Sequence, residues 1–176
     1  MNAEKERQFR EFVEARSLHL RRAAYALCGD IHAAEDLVQG ALVKLVRRWH
    51  KVDDPERYVR RIIYHDHASR WRRRAKIRED PVEDTPERGQ RDAAADVNLR
   101  LDLRQALLRL APRQRAVLVL RFYHDLPERD IADTLNCSVG TVRSQTHRAL
   151  ARLRELAPEL DAHYPDDLPA TEEASA

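Results

Sequence analysis

The stretch that decides the fold is PERDIADTLNCSVGTVRSQTHRALARLR, residues 127–154, because it predicts two short helices joined by a tight turn. Apolar residues recur at helical spacing in its first half, and acidic residues lie near the N-terminal end, where the helix dipole favours them. Pro127 suits the first turn of this helix. Asn136 tolerates the left-handed conformation that often ends a helix, and Ser138 is a good N-cap for the next one. The pattern therefore predicts a helix-turn-helix.

The second helix of this motif, predicted over Val139–Leu156, has two chemically different faces. One face is an apolar stripe, whereas the opposite face is narrow, polar and basic, with small residues between the long ones. Such a face can enter the major groove of DNA, where arginine pairs with guanine and short polar side chains contact neighbouring bases. An amphipathic helix pair with a solvated polar face is the alternative interpretation, but the capped turn together with the basic second helix favours DNA binding. The candidate contacts are Ser138, Gly140, Thr141, Arg143, Ser144, His147 and Arg148.

The residues before this motif also predict helices. Helical apolar spacing, Gly29 as a breaker, Asp30 as a cap and Pro55 in a first turn predict three helices in the N-terminal block, over residues 4–27, 31–49 and 55–74. The second block adds two more, over residues 97–110 and 112–123. Both blocks are net basic, whereas the proline-containing residues 79–96 and the tail after residue 156 are net acidic. We therefore expect two helical modules, an acidic linker and a disordered acidic tail.

Four motifs in this order resemble one family. They are AEDLVQ at residues 34–39, DPERYVRR at 54–61, LAPRQRAVL at 110–118 and CSVGTVRS at 137–144. Together they resemble the extracytoplasmic-function group of sigma factors in the sigma-70 family, and most closely its SigE-like actinobacterial branch. The resemblance covers roughly residues 8–156. One departure is Gly40, where the family often has glutamate.

The resemblance implies an all-α fold of two small helical domains joined by a flexible acidic linker. It implies sigma region 2 at residues 1–78, the linker at 79–96, sigma region 4 at 97–156 and a disordered tail at 157–176. The implied function is promoter-specific transcription initiation. Region 2 would bind core RNA polymerase and recognise and melt the −10 element, while region 4 would recognise the −35 element. Neither a catalytic residue nor a cofactor is implied.

The resemblance also implies two sets of contacts in region 2. The second predicted helix would dock on core polymerase, and the connector and helix after it would hold the −10 element. A basic groove with aromatic surfaces suits melted single-stranded DNA, although Trp49 and Tyr58 could equally be core aromatics. The implied polymerase contacts are Glu35, Asp36, Gln39 and Leu42. The implied −10 contacts are Trp49, Lys51, Asp53, Asp54, Tyr58, Arg60, Arg61, His65 and Arg72.

Two other classes of function compete with the sigma factor. A helix-turn-helix regulator that acts without polymerase would not need a basic melting helix beside a docking helix. An enzyme is disfavoured because no Walker loop, nucleophile elbow or HExxH motif occurs. No metal site is predicted, since Cys28 and Cys137 lie in no CxxC or Cys/His cluster and are expected to be reduced, buried thiols.

The expected partners are core RNA polymerase, promoter DNA and an anti-sigma factor, since such factors are often held by one. Because no apolar run or signal-peptide pattern occurs, we expect a cytoplasmic location without membrane insertion. A further hypothesis, from charge alone, is that the acidic tail packs against the basic modules as a weak autoinhibitor; a solvated tail is the simpler alternative.

Overall fold

The structure is a computed structural model that describes residues 3–77 and 103–158, with side chains to residue 73 in the first range. The regular structure in both ranges is helical, which confirms the all-α prediction. The N-terminal block contains α1 (Ala3–Cys28), α2 (Ile31–Val46), a 3₁₀ turn (Trp49–Lys51) and α3 (Pro55–Ile77). The second block contains a helical segment at residues 103–108, α4 (Pro112–Leu118), a π-helical turn (Val119–Tyr123), α5 (Glu128–Leu135) and α6 (Val139–Leu156).

The helix boundaries follow from local chemistry at the caps. Gly29 has a φ of 74°, and Asp30 accepts a hydrogen bond from the backbone N–H of Ala33 at 2.6 Å. These two residues end α1 and start α2, as the sequence predicts. At the next boundary the carboxylate of Asp54 accepts from the backbone N–H of Arg57 at 2.9 Å and caps α3.

Some predicted boundaries were wrong; the third helix, predicted to end at residue 74, continues to Ile77. The second helix ends at Val46 and not at Trp49, because the chain turns there and brings the Trp49 ring against α1. The centroid of that ring lies 5.3 Å from the ring centroid of Phe9 and 5.7 Å from that of Phe12. Aromatic packing against α1 thus outweighs one more helical turn. Pro127 is the N-cap of α5, with extended backbone, and not a residue of its first turn.

The helix-turn-helix itself is confirmed. Asn136 adopts the left-handed conformation with a φ of 52°, and the Ser138 hydroxyl accepts from the backbone N–H of Thr141 at 3.1 Å. Val142, Thr146 and Ala149 form the buried stripe of α6. The π-helical turn before α5 was not predicted from the sequence.

The two blocks pack against each other around a shared hydrophobic core. Residues of α1 and α3 contact those of α4, the π-helical turn and α5. Members from the first block include Leu20, Leu37, Val59 and Ile63, and members from the second include Val117, Leu120, Ile131 and Val142. The predicted modules are therefore in contact in this conformation.

Arg115 is the main polar link in this packing. Its buried guanidinium donates to the carbonyl oxygens of Leu107 at 2.8 Å, Leu108 at 2.7 Å and Leu110 at 3.1 Å. It also donates to the carbonyl of Leu27 at the end of α1. Burial lowers the pKa of Arg115, but arginine keeps its charge in proteins. One buried cation thus satisfies four backbone carbonyls and joins the blocks.

Gly29 provides a second close approach between the blocks. A Cβ atom built at Gly29 would lie 2.6 Å from a Leu108 methyl carbon. Arg104 donates to the Gly29 carbonyl oxygen at 2.8 Å and covers the Tyr25 ring at 4.3 Å. Glycine is therefore needed here both for its left-handed φ and for space.

Other sequence-based expectations concern residues outside these helices. The predicted linker at 79–96 and the acidic tail beyond residue 158 lie outside the described residues. Both cysteines are free thiols and partly buried, and burial raises the pKa of Cys28. Among the described helices, none is long and apolar enough to cross a membrane.

Candidate nucleic-acid interface

The outer face of α6 is largely exposed to solvent. The predicted contacts on this helix are exposed except Thr141, which is partly buried, while the opposite stripe is buried against α4 and α5. The Ser144 hydroxyl donates to the carbonyl of Thr141 at 3.0 Å, which leaves its lone pairs free to accept. The exposed set is Gly140, Arg143, Ser144, His147 and Arg148. This arrangement presents one narrow basic surface of the width that a major groove admits.

A carboxylate holds Arg143 in the free protein. Arg143 Nε lies 2.7 Å from Glu128 Oε2, and Arg121 Nη1 lies 3.4 Å from the other oxygen of Glu128. The Arg143 side chain remains 68% exposed. A pair this exposed contributes at most about 1 kcal/mol, so Arg143 can exchange Glu128 for a DNA base at little cost.

A second surface is a cleft of about 720 Å³ at the junction of α2, the 3₁₀ turn and α3. Lys51, Asp53, Asp54, Tyr58 and Arg61 line it, and all five are predicted −10 contacts. Tyr58 is partly buried, whereas the charged residues are exposed. Basic groups around an aromatic ring suit a backbone phosphate next to an unstacked base.

The other predicted −10 residues lie elsewhere. Trp49 packs against α1 and is partly buried, so its ring is part of the hydrophobic packing. Arg60 is paired with Glu56 at 3.1 Å and its side chain is only 12% exposed. His65 and Arg72 line a different cleft, of about 590 Å³, between α3 and the helix-turn-helix. Burial and the neighbouring arginines 61 and 72 lower the pKa of His65.

The predicted polymerase contacts divide in a similar way. Glu35, Asp36 and Gln39 are exposed on the outer side of α2. Leu42 is only 7% exposed and belongs to the hydrophobic core. A Cβ atom added at Gly40 would meet no atom within 4 Å, so the missing side chain leaves open space on this helix. The acidic and amide side chains are therefore the accessible part of this surface.

Each helical block matches a known family. Residues 12–77 match the family described as Sigma-70 region 2, and residues 100–153 match the family described as Sigma-70, region 4. The matches cover more than half of the chain, in the order of the two blocks. The chain belongs to the sigma-70 family.

Relatives of known name support the same assignment. RNA polymerase sigma-E factor of Streptomyces coelicolor is 40% identical over 160 residues, which is 88% of this chain and 90% of that protein. The extracytoplasmic-function sigma factor SigE of Mycolicibacterium smegmatis is 34% identical over 156 residues, covering 82% of this chain and 60% of the relative. These matches place the chain in the extracytoplasmic-function group, on the SigE-like branch.

A solved structure has the same fold. The sigma factor RpoE of Bartonella quintana, crystallised with the anti-sigma factor NepR, superposes with a TM-score of 0.66 at 25% identity. The match covers 84% of this chain and 97% of that one. The protein is accordingly a sigma factor of the sigma-70 family. This supports the sigma factor over an independent regulator, and the family acts in transcription initiation and is not an enzyme family.

The sequence did not identify the side chains where the two sigma domains meet. His19 of α1 lies against His124, with Nε2 and Nδ1 3.1 Å apart, and its ring stacks on Tyr123 at 4.6 Å. Arg57 and Asp133 form an exposed ion pair at 2.8 Å between α3 and α5. These residues are far apart in the chain and carry no local motif, so no sequence signal pairs them.

Proposed function

We propose that the exposed face of α6 reads the −35 element. The observation that carries this proposal is the clustering of exposed basic and short polar side chains on the recognition helix, opposite a fully packed stripe. Arg143 would pair with guanine, and Ser144 and His147 would contact adjacent bases. Ser138, Gly140, Thr141 and Arg148 would hold phosphates beside the free N–H groups at the start of α6.

The −10 element is assigned to the cleft at the start of α3. Lys51, Arg61 and the ring of Tyr58 would hold the melted strand, with Asp53 and Asp54 close by. His65 and Arg72 lie further along the same helix, where both are exposed, and would extend the −10 contacts along α3. Trp49 and Arg60 would stabilise the protein beneath this surface. The Trp49 ring packs on α1, and Arg60 is paired with Glu56.

The −10 assignment predicts a loss of melting when the cleft loses a cation. We expect Arg61→Ala to slow open-complex formation roughly tenfold, the effect of losing one charge-assisted contact of about 1.5 kcal/mol. The measurement is fluorescence of a base analogue in the −10 segment of a promoter mixed with holoenzyme. Arg10→Ala is the matched control, because Arg10 is an exposed arginine of α1 that does not line the cleft. Equal rates for both variants would contradict the assignment.

Docking on core polymerase is assigned to the outer side of α2. Glu35, Asp36 and Gln39 offer carboxylate and amide groups there. Leu42 lies on the opposite side of α2 and packs in the hydrophobic core. Such exposed charges act mainly by complementarity with a partner of opposite charge.

Charge reversal on α2 tests this docking surface. We expect Asp36→Arg to weaken binding to core polymerase tenfold or more, because a like-charge contact at an interface costs several kcal/mol. Fluorescence anisotropy of labelled sigma factor titrated with core enzyme measures it. Glu14→Arg, an equally exposed carboxylate replaced on α1, should bind like the unaltered protein. If Asp36→Arg also binds normally, the docking surface lies elsewhere.

The remaining assignments follow from the same function. We assign region 2 to residues 1–78, the linker to 79–96, region 4 to 97–156 and the tail to 157–176. We propose that the protein acts in the cytoplasm as a specificity subunit without enzymatic activity of its own, and that an anti-sigma factor is a further partner, as it is for the sigma factor RpoE of Bartonella quintana. In vitro transcription with core polymerase and a promoter library tests the whole proposal, and the absence of any sigma-dependent transcript would refute it.

A further inference from the structure

Three side chains of metal-ligand type meet where the two sigma domains join. His19 lies on α1, Glu56 lies in the first turn of α3, and His124 follows the π-helical turn of the second block. Each offers one ligand atom, and these three atoms lie within 4.8 Å of one another. All three residues are partly buried. The cluster therefore draws on both domains and on three distant segments of the chain.

The spacing of the two imidazoles suits a tetrahedral ion. His19 Nε2 and His124 Nδ1 lie 3.1 Å apart. Two nitrogens that bind one tetrahedral Zn²⁺ at about 2.05 Å each are separated by about 3.3 Å. The rings need to separate by only a few tenths of an ångström to accept an ion between them.

The surroundings hold both rings in place. Tyr123 stacks on His19, and its hydroxyl lies 3.4 Å from the His19 carbonyl oxygen. The Tyr64 ring packs edge-on to His124 at 6.3 Å. His124 Nε2 is buried and has no hydrogen-bond partner among the side chains that the structure describes. Packing thus fixes the two rings, and the nitrogen of His124 that faces His19 is Nδ1.

The charged neighbours decide which ion fits. Arg16 of α1 and Arg60 of α3 each bind one oxygen of Glu56, at 3.2 and 3.1 Å. Each carboxylate oxygen has a further lone pair, so a cation would share Glu56 with these arginines, whose positive charges weaken the attraction. Mg²⁺ and Ca²⁺ depend on oxygen ligands and would compete poorly, whereas Zn²⁺ gains most of its binding from imidazole nitrogen. The site therefore favours a first-row transition ion.

We propose that His19, His124 and Glu56 form a Zn²⁺-type divalent metal site that bridges the two sigma domains. The two imidazoles and one carboxylate supply three ligands, and water fills the fourth position. The ion joins α1 and α3 of the first domain to the segment before α5 of the second. It therefore stabilises the packed arrangement of the domains.

A bridged arrangement is incompatible with reading a whole promoter. The −10 and −35 elements are centred about 25 base pairs apart, which is roughly 85 Å along the duplex. In the structure, Tyr64 and Trp71 of α3 face Thr141 and Gln145 of α6 across one cleft. Metal at 100 times its dissociation constant would favour the packed form about 100-fold. This consequence, unlike the site itself, rests on the proposed promoter contacts.

Metal binding by the full-length, untagged protein tests the site. The apo-protein is titrated with Co²⁺ as a spectroscopic probe and with Zn²⁺ in competition with a chromophoric chelator. We expect one bound equivalent with tetrahedral Co²⁺ absorption, and affinity at least tenfold lower in His19→Ala and in His124→Gln. His32→Ala is the control, because His32 is exposed on α2 away from the cluster. Circular dichroism verifies that each variant is folded.

Bridging has its own readout. Small-angle X-ray scattering should show that Zn²⁺ makes the unaltered protein more compact and leaves His124→Gln unchanged. Zn²⁺ should also reduce promoter-specific transcription by the unaltered protein and not by His124→Gln. Metal affinity equal in all variants, or a compaction that His124→Gln retains, would overturn the proposal. Transcription without added metal tests the sigma function separately. A failure of the metal-site proposal is therefore distinguishable from a failure of the proposed sigma function.

Discussion

Replacing Arg115 by alanine is expected to lower the free energy of unfolding by about 3–5 kcal/mol, the largest stability effect that we predict for a single residue. The buried guanidinium donates to four backbone carbonyls, three in the second block and that of Leu27 in α1. Alanine would leave those carbonyls without a donor and open a cavity at the domain contact. A hydrogen bond to a charged group contributes about 1.5–3 kcal/mol, and the relieved desolvation of the arginine offsets part of the sum.

Chemical denaturation followed by circular dichroism measures this loss. Arg113→Ala is the matched control, because Arg113 lies two residues earlier on α4 and is exposed. Its removal should change the free energy of unfolding by less than about 0.5 kcal/mol. Arg115→Lys should be intermediate, since an ammonium group cannot reach all four carbonyls with the planar fork of arginine. Equal stability of the two alanine variants would show that the buried network contributes nothing.

Replacing Arg143 by alanine is expected to reduce transcription from a cognate promoter by about 5- to 150-fold. This range corresponds to the roughly 1–3 kcal/mol that a bidentate contact to guanine contributes to discrimination. Folding should be unaffected, because the side chain is 68% exposed and its one described ion pair, with Glu128, is on the surface. The measurement is in vitro transcription with core polymerase from promoters with intact and altered −35 elements.

Two variants separate base recognition from charge. Arg143→Lys keeps the positive charge but not the fork, so it should retain weak general affinity for DNA and lose discrimination between the promoters. Arg152→Ala removes an exposed arginine of the same helix that is paired with Glu155 and is not among the proposed DNA contacts. It should transcribe normally. If Arg143→Ala discriminates as well as the unaltered protein, another residue reads the element.

The sequence was sufficient where local chemistry decides the structure. Periodicity and caps predicted α6 over Val139–Leu156, and Asn136 and Ser138 occupy the cap conformations expected of them. The same reasoning extended α2 to Trp49, because an amphipathic pattern does not show where an aromatic ring finds better packing in a neighbouring helix. The exposed face of α6 was predictable for a related reason, since a helix with one packed stripe must expose the other side.

Side chains with two plausible roles were harder to assign. Leu42 and Arg60 have residue types and positions that suit a partner contact, yet one is in the core and the other is paired with Glu56. Only tertiary packing distinguishes these roles. The pairing of His19 with His124 lies beyond any local pattern, because 105 residues separate them. Contacts of that separation depend on how whole helices pack.

Glu128 has a consequence for how DNA binding by this protein responds to salt. In the free protein its carboxylate already neutralises Arg143 at 2.7 Å. If Arg143 moves to the duplex as proposed, counterions leave the DNA, but Glu128, then paired with Arg121 alone, attracts cations in return. The Arg143 contact therefore releases fewer ions in total than a contact made by a solvated arginine, which releases nearly one counterion from the DNA. The number of basic residues that contact the promoter, if it were calculated from the slope of log affinity against log salt concentration, would therefore be too low.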